Sequence, residues 1–287
     1  MPKLSTIIVS YKNLDVVIDC LDSIEVFNDI GKELQVILVD NSLDNNILDY
    51  VKANYPWVET VKSRENKGFG AGCNLGAKHS QGEYLLFLNP DTVLVEPIFQ
   101  FAVDVFQRNT DLGMFGVKLV NPDLSKNQSF HFSDKSGTFW ALVYKVCDRL
   151  DLFIDGKMYI TGADIFIRKD LFFDCGMFDE NLFMYSEERD LVKRVSKLGF
   201  KTGYFPTKKI IHLEGKSTDS NIEAKVRMQL QSQKYYCDKH GIDFERMTRG
   251  QLRYDYVRLL VHTILGNEKA TDCKKIISAR KEFLENL

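Results

Sequence analysis

Apolar positions follow two alternating rhythms over the first hundred residues. Thr6–Val9, Leu34–Val39, Val58–Ser63 and Tyr84–Leu88 are short β-branched or uniformly apolar runs, as expected of strands buried on both faces. Between them the spacing becomes helical. Leu14, Val17, Ile18, Leu21 and Ile24 share one face of a helix over Leu14–Ile24, and Asn46–Asn54, Gly68–Ser80 and Pro97–Gln107 continue the alternation. This βαβα order predicts an α/β fold, a mostly parallel sheet flanked by helices. Further on, the pattern predicts strands at Gly113–Leu119, Tyr159–Arg168, Lys201–Phe205 and Lys209–His212, and an amphipathic helix over Ser186–Leu198. Asn121–Asp155 has no clear period and reads as a long loop with short helical pieces. The tail from Asn221 is charged and helix-rich.

Composition narrows the picture. The chain has 287 residues, 44% hydrophobic and 27% charged, as in ordinary globular proteins. A net charge of -2 without a long basic run argues against nucleic-acid binding. The six cysteines form no CxxC pair, so reduced thiols and a cytoplasmic setting are expected rather than a zinc site or disulfide framework. No stretch has the length of a signal h-region or a membrane span, so any membrane contact is expected to be peripheral.

The candidate chemistry lies at strand ends. Tyr84–Leu88 runs into Asn89-Pro90-Asp91, and Pro90 lacks the N–H that a sheet ladder needs, so the strand stops there. Asp91 is thereby expected at the carboxyl end of a central strand, where open α/β sheets bind ligands. A hard oxygen ligand in that place suits Mg²⁺ or Mn²⁺ carrying a substrate diphosphate; the plainer alternative is a solvated turn residue. Ser10-Tyr11 and Asp40-Asn41 follow the first two strands. The polar groups there can bond a base or ribose, and the aromatic can cover a ring, or both pairs can simply be turns.

Three further clusters carry candidate residues. Asn66-Lys67-Gly68-Phe69-Gly70-Ala71-Gly72-Cys73-Asn74 opens a helix with glycines that permit close backbone approach to a nucleotide, or close packing of the helix on the sheet. It is neither a Walker A loop nor an in-register dinucleotide fingerprint. Glu187-Glu188-Arg189-Asp190 gathers acids at a helix start. The macrodipole favours them there, and one of the glutamates, if it faces a pocket, can act as a general base. Asp190 can instead cap the helix or pair with Arg189 or Arg194. His212 ends an apolar strand and is a candidate second metal ligand, and Lys216 after it can reach a phosphate.

Together these stretches resemble the family 2 inverting glycosyltransferases of the GT-A fold, with the bacterial rhamnosyltransferase-like branch the best match. The resemblance is collinear. It runs from Ser5–Tyr11 through Val39–Ser42, Glu65–Asn74, Gly82–Thr92, Thr161–Arg168 and Gly176–Tyr185 to Glu187–Leu191 and Ile211-His212. It implies a GT-A domain over 1–220, with a nucleotide-binding half (1–110) and an acceptor half (111–220), followed by a helical extension over 221–287. Asp91 takes the metal role, with His212 completing the shell. Asn89 takes a weaker donor-site role, and Asp40 contacts the base or ribose. The family's base usually lies in a Glu-Asp pair; here the second position is Glu188, and Glu187 stays open. The implied reaction moves a sugar, foremost L-rhamnose from dTDP-rhamnose, to a saccharide or polyprenyl-linked acceptor. A UDP-hexose transferase and a non-catalytic nucleotide-sugar-binding homologue are the alternatives. Within the extension, Tyr254, Val257, Leu260, Val261, Ile264 and Leu265 fall on a stripe beside Arg246, Arg249, Arg253 and Arg258. This is expected to rest on a membrane surface, to pack on the domain, or to build a homodimer.

Overall fold

The computed structural model describes residues 1–213 and 221–287. Its first half runs β1 (Leu4–Ser10), α1 (Leu14–Phe27), β2 (Leu34–Asp40), α2 (Asn46–Asn54), β3 (Val58–Lys62), α3 (Phe69–His79), β4 (Tyr84–Leu88), β5 (Thr92–Leu94) and α4 (Phe99–Arg108). Then follow β6 (Leu112–Val120), β7 (Phe130–Phe132), α5 (Thr138–Arg149), β8 (Met158–Ile160), β9 (Asp164–Arg168), α6 (Lys169–Asp174), α7 (Glu187–Lys197) and β10 (Lys201–His212). Three helices close the chain: α8 (Ile222–His240), α9 (Phe244–Ile264) and α10 (Lys269–Glu285).

The main sheet has the order β3-β2-β1-β4-β9-β6-β10-β5. Strands β3, β2, β1 and β4 pair in parallel, β9 runs against both β4 and β6, β10 runs with β6, and β5 closes the edge antiparallel to β10. Successive side chains of a strand point to opposite faces, and β1 shows it. Leu4 and Ile8 enter the core under α1, α2 and α4, whereas Ile7 and Val9 enter the one under α3, α6 and α7. Burial on both faces explains why the first strands read as continuous apolar runs.

Three expectations are corrected. Tyr159–Arg168 is not one strand. It breaks at Thr161-Gly162, where β8 pairs with β7 in a separate hairpin before β9 enters the main sheet. Lys201–Phe205 and Lys209–His212 join into the single strand β10, with a register shift between Phe205 and Lys209 that absorbs Pro206. The aperiodic stretch 121–155 contains β7 and the three-turn helix α5. Apolar residues surround α5 on more than one side: Val143, Tyr144 and Cys147 pack with the hairpin, while Phe139, Leu142, Val146 and Leu150 face outward.

The C-terminal helices are anchored to the rest of the protein through α8. Tyr236 is fully buried, the Ser232 hydroxyl donates to the Met184 carbonyl at 2.7 Å, and Tyr235 and Lys239 bond Asp179. Among the described residues no helix is long and apolar enough to cross a membrane. All six cysteines are free.

Candidate active site

The carboxyl ends of β1 and β2 form the first cluster. Asp40 is fully buried, and its Oδ1 accepts from Ser10 Oγ (3.1 Å), Ser42 N (3.1 Å) and Ser42 Oγ (2.7 Å). Lys62 Nζ lies 3.2 Å from its Oδ2 and also donates to the carbonyls of Ser42 and Asp44. The parallel register of β2 on β3 sets Lys62 directly beside Asp40. Thus Asp40, expected at a base or ribose, is bound by three neighbours that fix this corner, and Lys62 and Ser42 are members the sequence reading missed. Tyr11, by contrast, is 43% exposed, with Lys12 Nζ 5.0 Å from its ring centre.

The glycine-rich segment answers to packing. A Cβ on Gly72 would come within 2.7 Å of Val9 Cγ1, and one on Gly76 within 2.4 Å of Ile7 Cγ2, so α3 lies tight on β1. Gly68 has φ +95° and abuts the Phe183 carbonyl, leaving no room for a side chain. Asn66 Oδ1 accepts from Gly68 N at 3.0 Å and Asn41 Nδ2 at 3.4 Å, which holds this turn to the end of β2. Gly70 packs under Phe178, with its Cβ position 4.0 Å from Glu187 Cβ. Asn74, expected at the donor, clamps the 178–180 loop. Its amide bonds both the carbonyl and N–H of Phe178 (2.9 Å each) and Glu180 Oε1 (3.0 Å).

Asp91 and His212 come together from 121 positions apart in the chain. The antiparallel pairing of β5 and β10 sets His212 opposite Thr92, and His212 Nε2 lies 3.4 Å from Asp91 Oδ1. The Leu213 N–H donates to the Asp91 carbonyl (2.9 Å), and Asn127 Nδ2 donates to the His212 carbonyl (3.2 Å), so both backbones are fixed. Asn89 turns the chain here: its carbonyl accepts from Thr92 Oγ1 at 2.7 Å, and its N–H donates to Ala163 O at 3.0 Å. Among the described residues no group of three or more His, Cys, Asp or Glu side chains is arranged to hold a metal. A carboxylate and an imidazole nonetheless fit a Mg²⁺ or Mn²⁺ ion whose remaining ligands are diphosphate oxygens and water. Lys216 lies outside the described residues.

The acid pair opens α7. Tyr185 and Ser186 precede it with φ of +72° and +70°, two successive non-glycine residues in the left-handed region. Strained backbone of this kind concentrates at functional sites, and neither residue type announced it in the sequence. Glu187 is buried, its Oε2 has no hydrogen-bond partner, and burial followed by the charge of Glu188 pushes its carboxyl well above the usual range. It faces Cys73, whose thiol burial and then Glu187 push upward. Glu188 is half-exposed, and burial lifts its carboxyl to about 7 against the opposing effects of its own backbone N–H and Arg189. Tyr159 of β8 lies within reach of that charge: burial and then Glu188 raise its phenol. His131 lies between Tyr159 and Tyr144, its ring stacked on Tyr144 at 5.5 Å, and burial lowers it to about 4. An aromatic wall of neutral rings therefore borders Glu188. Asp190 points the other way and binds Arg194 (2.7 Å), Lys239 (2.8 Å) and His240 (2.8 Å), tying α7 to α8.

The sequence profile described as "Glycosyl transferase family 2" matches residues 5–172. Over 212 residues the chain is 24% identical to the N-acetylglucosaminyl-diphospho-decaprenol L-rhamnosyltransferase of Mycobacterium tuberculosis (strains CDC 1551 / Oshkosh and ATCC 25618 / H37Rv), covering 65% of this chain and 69% of that protein. The mannosyltransferase PcManGT from Pyrobaculum calidifontis, solved with GDP-Man and Mn²⁺, superposes with a TM-score of 0.60 at 14% identity, over 99% of this chain and 70% of that one. S. aureus TarS gives 0.54 at 16% identity, over 80% of this chain and 39% of TarS, so the chain spans about two fifths of it. GalNAc-T7 with UDP, GalNAc and Mn²⁺ gives 0.56 at 15% identity, over 79% of this chain and 47% of that one. The structural likenesses establish the fold, which is GT-A.

Proposed function

The chain belongs to glycosyl transferase family 2, and from that membership we propose that it transfers L-rhamnose from dTDP-rhamnose to a lipid-linked saccharide with inversion at the anomeric carbon. The observation that carries the site is the Asp91–His212 pair at the carboxyl end of β4. The rhamnosyl donor and lipid-linked acceptor follow the name of the mycobacterial relative.

Asp91 and His212 would hold the divalent ion, which when bound would supply positive charge to the departing nucleoside diphosphate. The corner formed by Ser10, Asp40 and Lys62 receives the nucleoside, with Tyr11 over the base and Asn66 and Gly70 shaping the floor. Asn89 contacts the diphosphate side. Glu188 is the base. It is half-exposed beside the aromatic wall, and its raised carboxyl is matched to neutral pH. Glu188 takes the proton from the acceptor hydroxyl, the oxygen bonds to the anomeric carbon from the face opposite the diphosphate, and the bond to the leaving oxygen breaks. A single displacement needs one base, not the carboxylate pair of a hydrolase. Glu187 beside it is buried, and burial followed by the charge of Glu188 pushes its carboxyl well above the usual range.

The test combines thermal shift with transfer. With Mn²⁺ present, dTDP-rhamnose is expected to stabilise the protein above UDP- and GDP-sugars, and transfer to a polyprenyl-diphosphate saccharide to follow. Asp91→Ala is expected to abolish metal-dependent transfer while the protein stays folded. Stabilisation by a UDP-hexose alone would replace the donor. Full activity of Asp91→Ala would remove the metal assignment.

A further inference from the structure

Helices α5 and α9 pack together where Gly137 meets Gly250 and the Ser136 hydroxyl donates to the Met247 carbonyl at 2.9 Å. Each turns an apolar stripe to solvent. On α5 it comprises Phe139, Leu142, Val146 and Leu150, at helical spacing, with Phe139 and Leu150 each 67% exposed. On α9 it comprises Val257, Leu260, Val261, Ile264 and Leu265, with Ile264 75% exposed. Scattered exposed apolar residues are ordinary; two stripes on packed neighbouring helices are not.

Charge decides what covers them. Arg246, Arg249 and Arg253 continue the face of Val257, Leu260 and Ile264 at i, i+3 and i+4 spacing, so α9 carries arginine on its first turns and apolar residues on its last. The three arginines line a shallow depression of about 390 Å³ together with Asp243 and Glu245. Glu245 pairs with Arg249. Between Arg246 and Leu265 the only acid is Asp255, which is buried and bound to Arg280 at 2.8 Å. On the α5 side Lys135, Lys145 and Arg149 are exposed, whereas Asp148 and Asp151 are paired with Lys126 and Lys118. A twofold dimer lays a patch against its own copy, and the acids this patch could offer the arginines are already engaged: Asp243 caps α9 and Glu245 pairs with Arg249. An anionic bilayer takes the apolar stripe into its acyl boundary and the arginines at its phosphates.

We infer that α5 and α9 form a docking platform for an anionic lipid surface. The inner side of α5 carries Tyr144, which stacks on His131 beside the wall that borders Glu188. Under the lipid-linked acceptor reading, the same helix therefore rests on the membrane and lines the route from the membrane to the base. The docking itself does not depend on that reading.

Flotation of the full chain with liposomes tests it without substrate, so a failure leaves the donor assignment untouched. The protein is expected to float with vesicles containing phosphatidylglycerol, less so at high salt, and not with phosphatidylcholine alone. The double variants Leu260→Asp/Ile264→Asp, Phe139→Asp/Leu150→Asp and Arg246→Glu/Arg253→Glu are each expected to lower the bound fraction by about tenfold. Their thermal unfolding, and their transfer to a soluble acceptor analogue, are expected to match the unaltered chain. Absence of flotation overturns the proposal. If the unaltered chain then proves dimeric in light scattering and Leu260→Asp/Ile264→Asp monomeric, a second copy is the occupant.

Discussion

Asp40 and Asp190 on one side, Glu187 and Glu188 on the other, are all carboxylates drawn away from water, yet their surroundings are opposite. Asp40 accepts from Ser10, Ser42 and Lys62, and Asp190 is enclosed by Arg194, Lys239 and His240. Cations and donors hold these two in place, and those around Asp190 lower its carboxyl. Among the described residues Glu187 and Glu188 have no lysine or arginine in an ion pair; they crowd each other and are pushed toward the neutral form. Burial with partners builds a scaffold; burial without them prepares a group to exchange a proton. The first kind fixes the corner proposed for the nucleoside and the seat of α7. The second stands where the acceptor hydroxyl is expected.

The contrast breaks most visibly at Glu188. Glu188→Gln is expected to lower turnover by about 10²–10⁴-fold with little change in donor affinity, the range for a lost general base. In the unaltered protein log kcat/KM is expected to rise with pH and level off near 7, because Glu188 must lose its proton to act, and this limb vanishes in the variant. Glu187→Gln supplies the comparison. Its acid is raised in the folded state, so below its unfolded pKa nothing is lost, and stability falls as pH rises through the folded value. The glutamine relieves that loss, so its melting temperature is expected to exceed the parent's more at pH 8 than at pH 5, with activity largely kept. A dead Glu187→Gln beside an active Glu188→Gln would exchange the two roles.

Asp190→Ala tests the scaffold side. Burial alone would raise this carboxyl, but Lys239, Arg194 and His240 outweigh it and leave it lowered. Removing it takes this carboxylate from His240 and Arg194 at a buried site, at a cost of about 3–5 kcal/mol, while Lys239 keeps Asp179. The deficit is expected in full above the unfolded carboxylate pKa and to shrink as pH falls through the lower folded one. Urea unfolding at neutral and acid pH checks both. Surviving molecules are expected to keep donor binding, since the corner around Asp40 is elsewhere. A variant as stable as the parent at neutral pH would show that α8 does not hold α7.

The sequence pattern foretold the scaffold unevenly. Strands β1 to β4 and the helices between them were legible because burial on both faces leaves uniform apolar runs. The Asn89-Pro90-Asp91 ending was equally plain, since proline stops a ladder. Lys62 escaped notice although the parallel register places it beside Asp40; it becomes visible only once β2 and β3 are aligned. The packing of the glycines and the clamp made by Asn74 were not separable from nucleotide contact in the sequence, because close packing and close ligand approach both call for small or amide residues. The helix α5 stayed hidden because its two apolar sides have different destinations, the β7–β8 hairpin and the surface. Nor did the charged tail reveal that α8 clamps the helix bearing the acid pair, for that depends on contacts between positions about fifty apart in the chain, such as Asp190 and His240.

The smallest expected effect concerns the backbone that aims the acid pair. Ser186 holds φ +70° and ψ -1° immediately before α7, and its side chain caps nothing. Its carbonyl accepts from Asp190 N at 2.9 Å, a bond that glycine would retain. Glycine relieves about 1–2 kcal/mol of left-handed strain and gives back about 0.5–1 kcal/mol of chain entropy. Ser186→Gly is therefore expected to be neutral or stabilising by up to about 1 kcal/mol, a rise in melting temperature of a few degrees at most. Ser186→Val, whose branched Cβ tolerates this conformation least, is expected to move in the opposite direction. If the glycine variant unfolds clearly before the parent, the turn before Glu187 stores no strain, and the aim of Glu188 must be set by packing against Tyr159 instead.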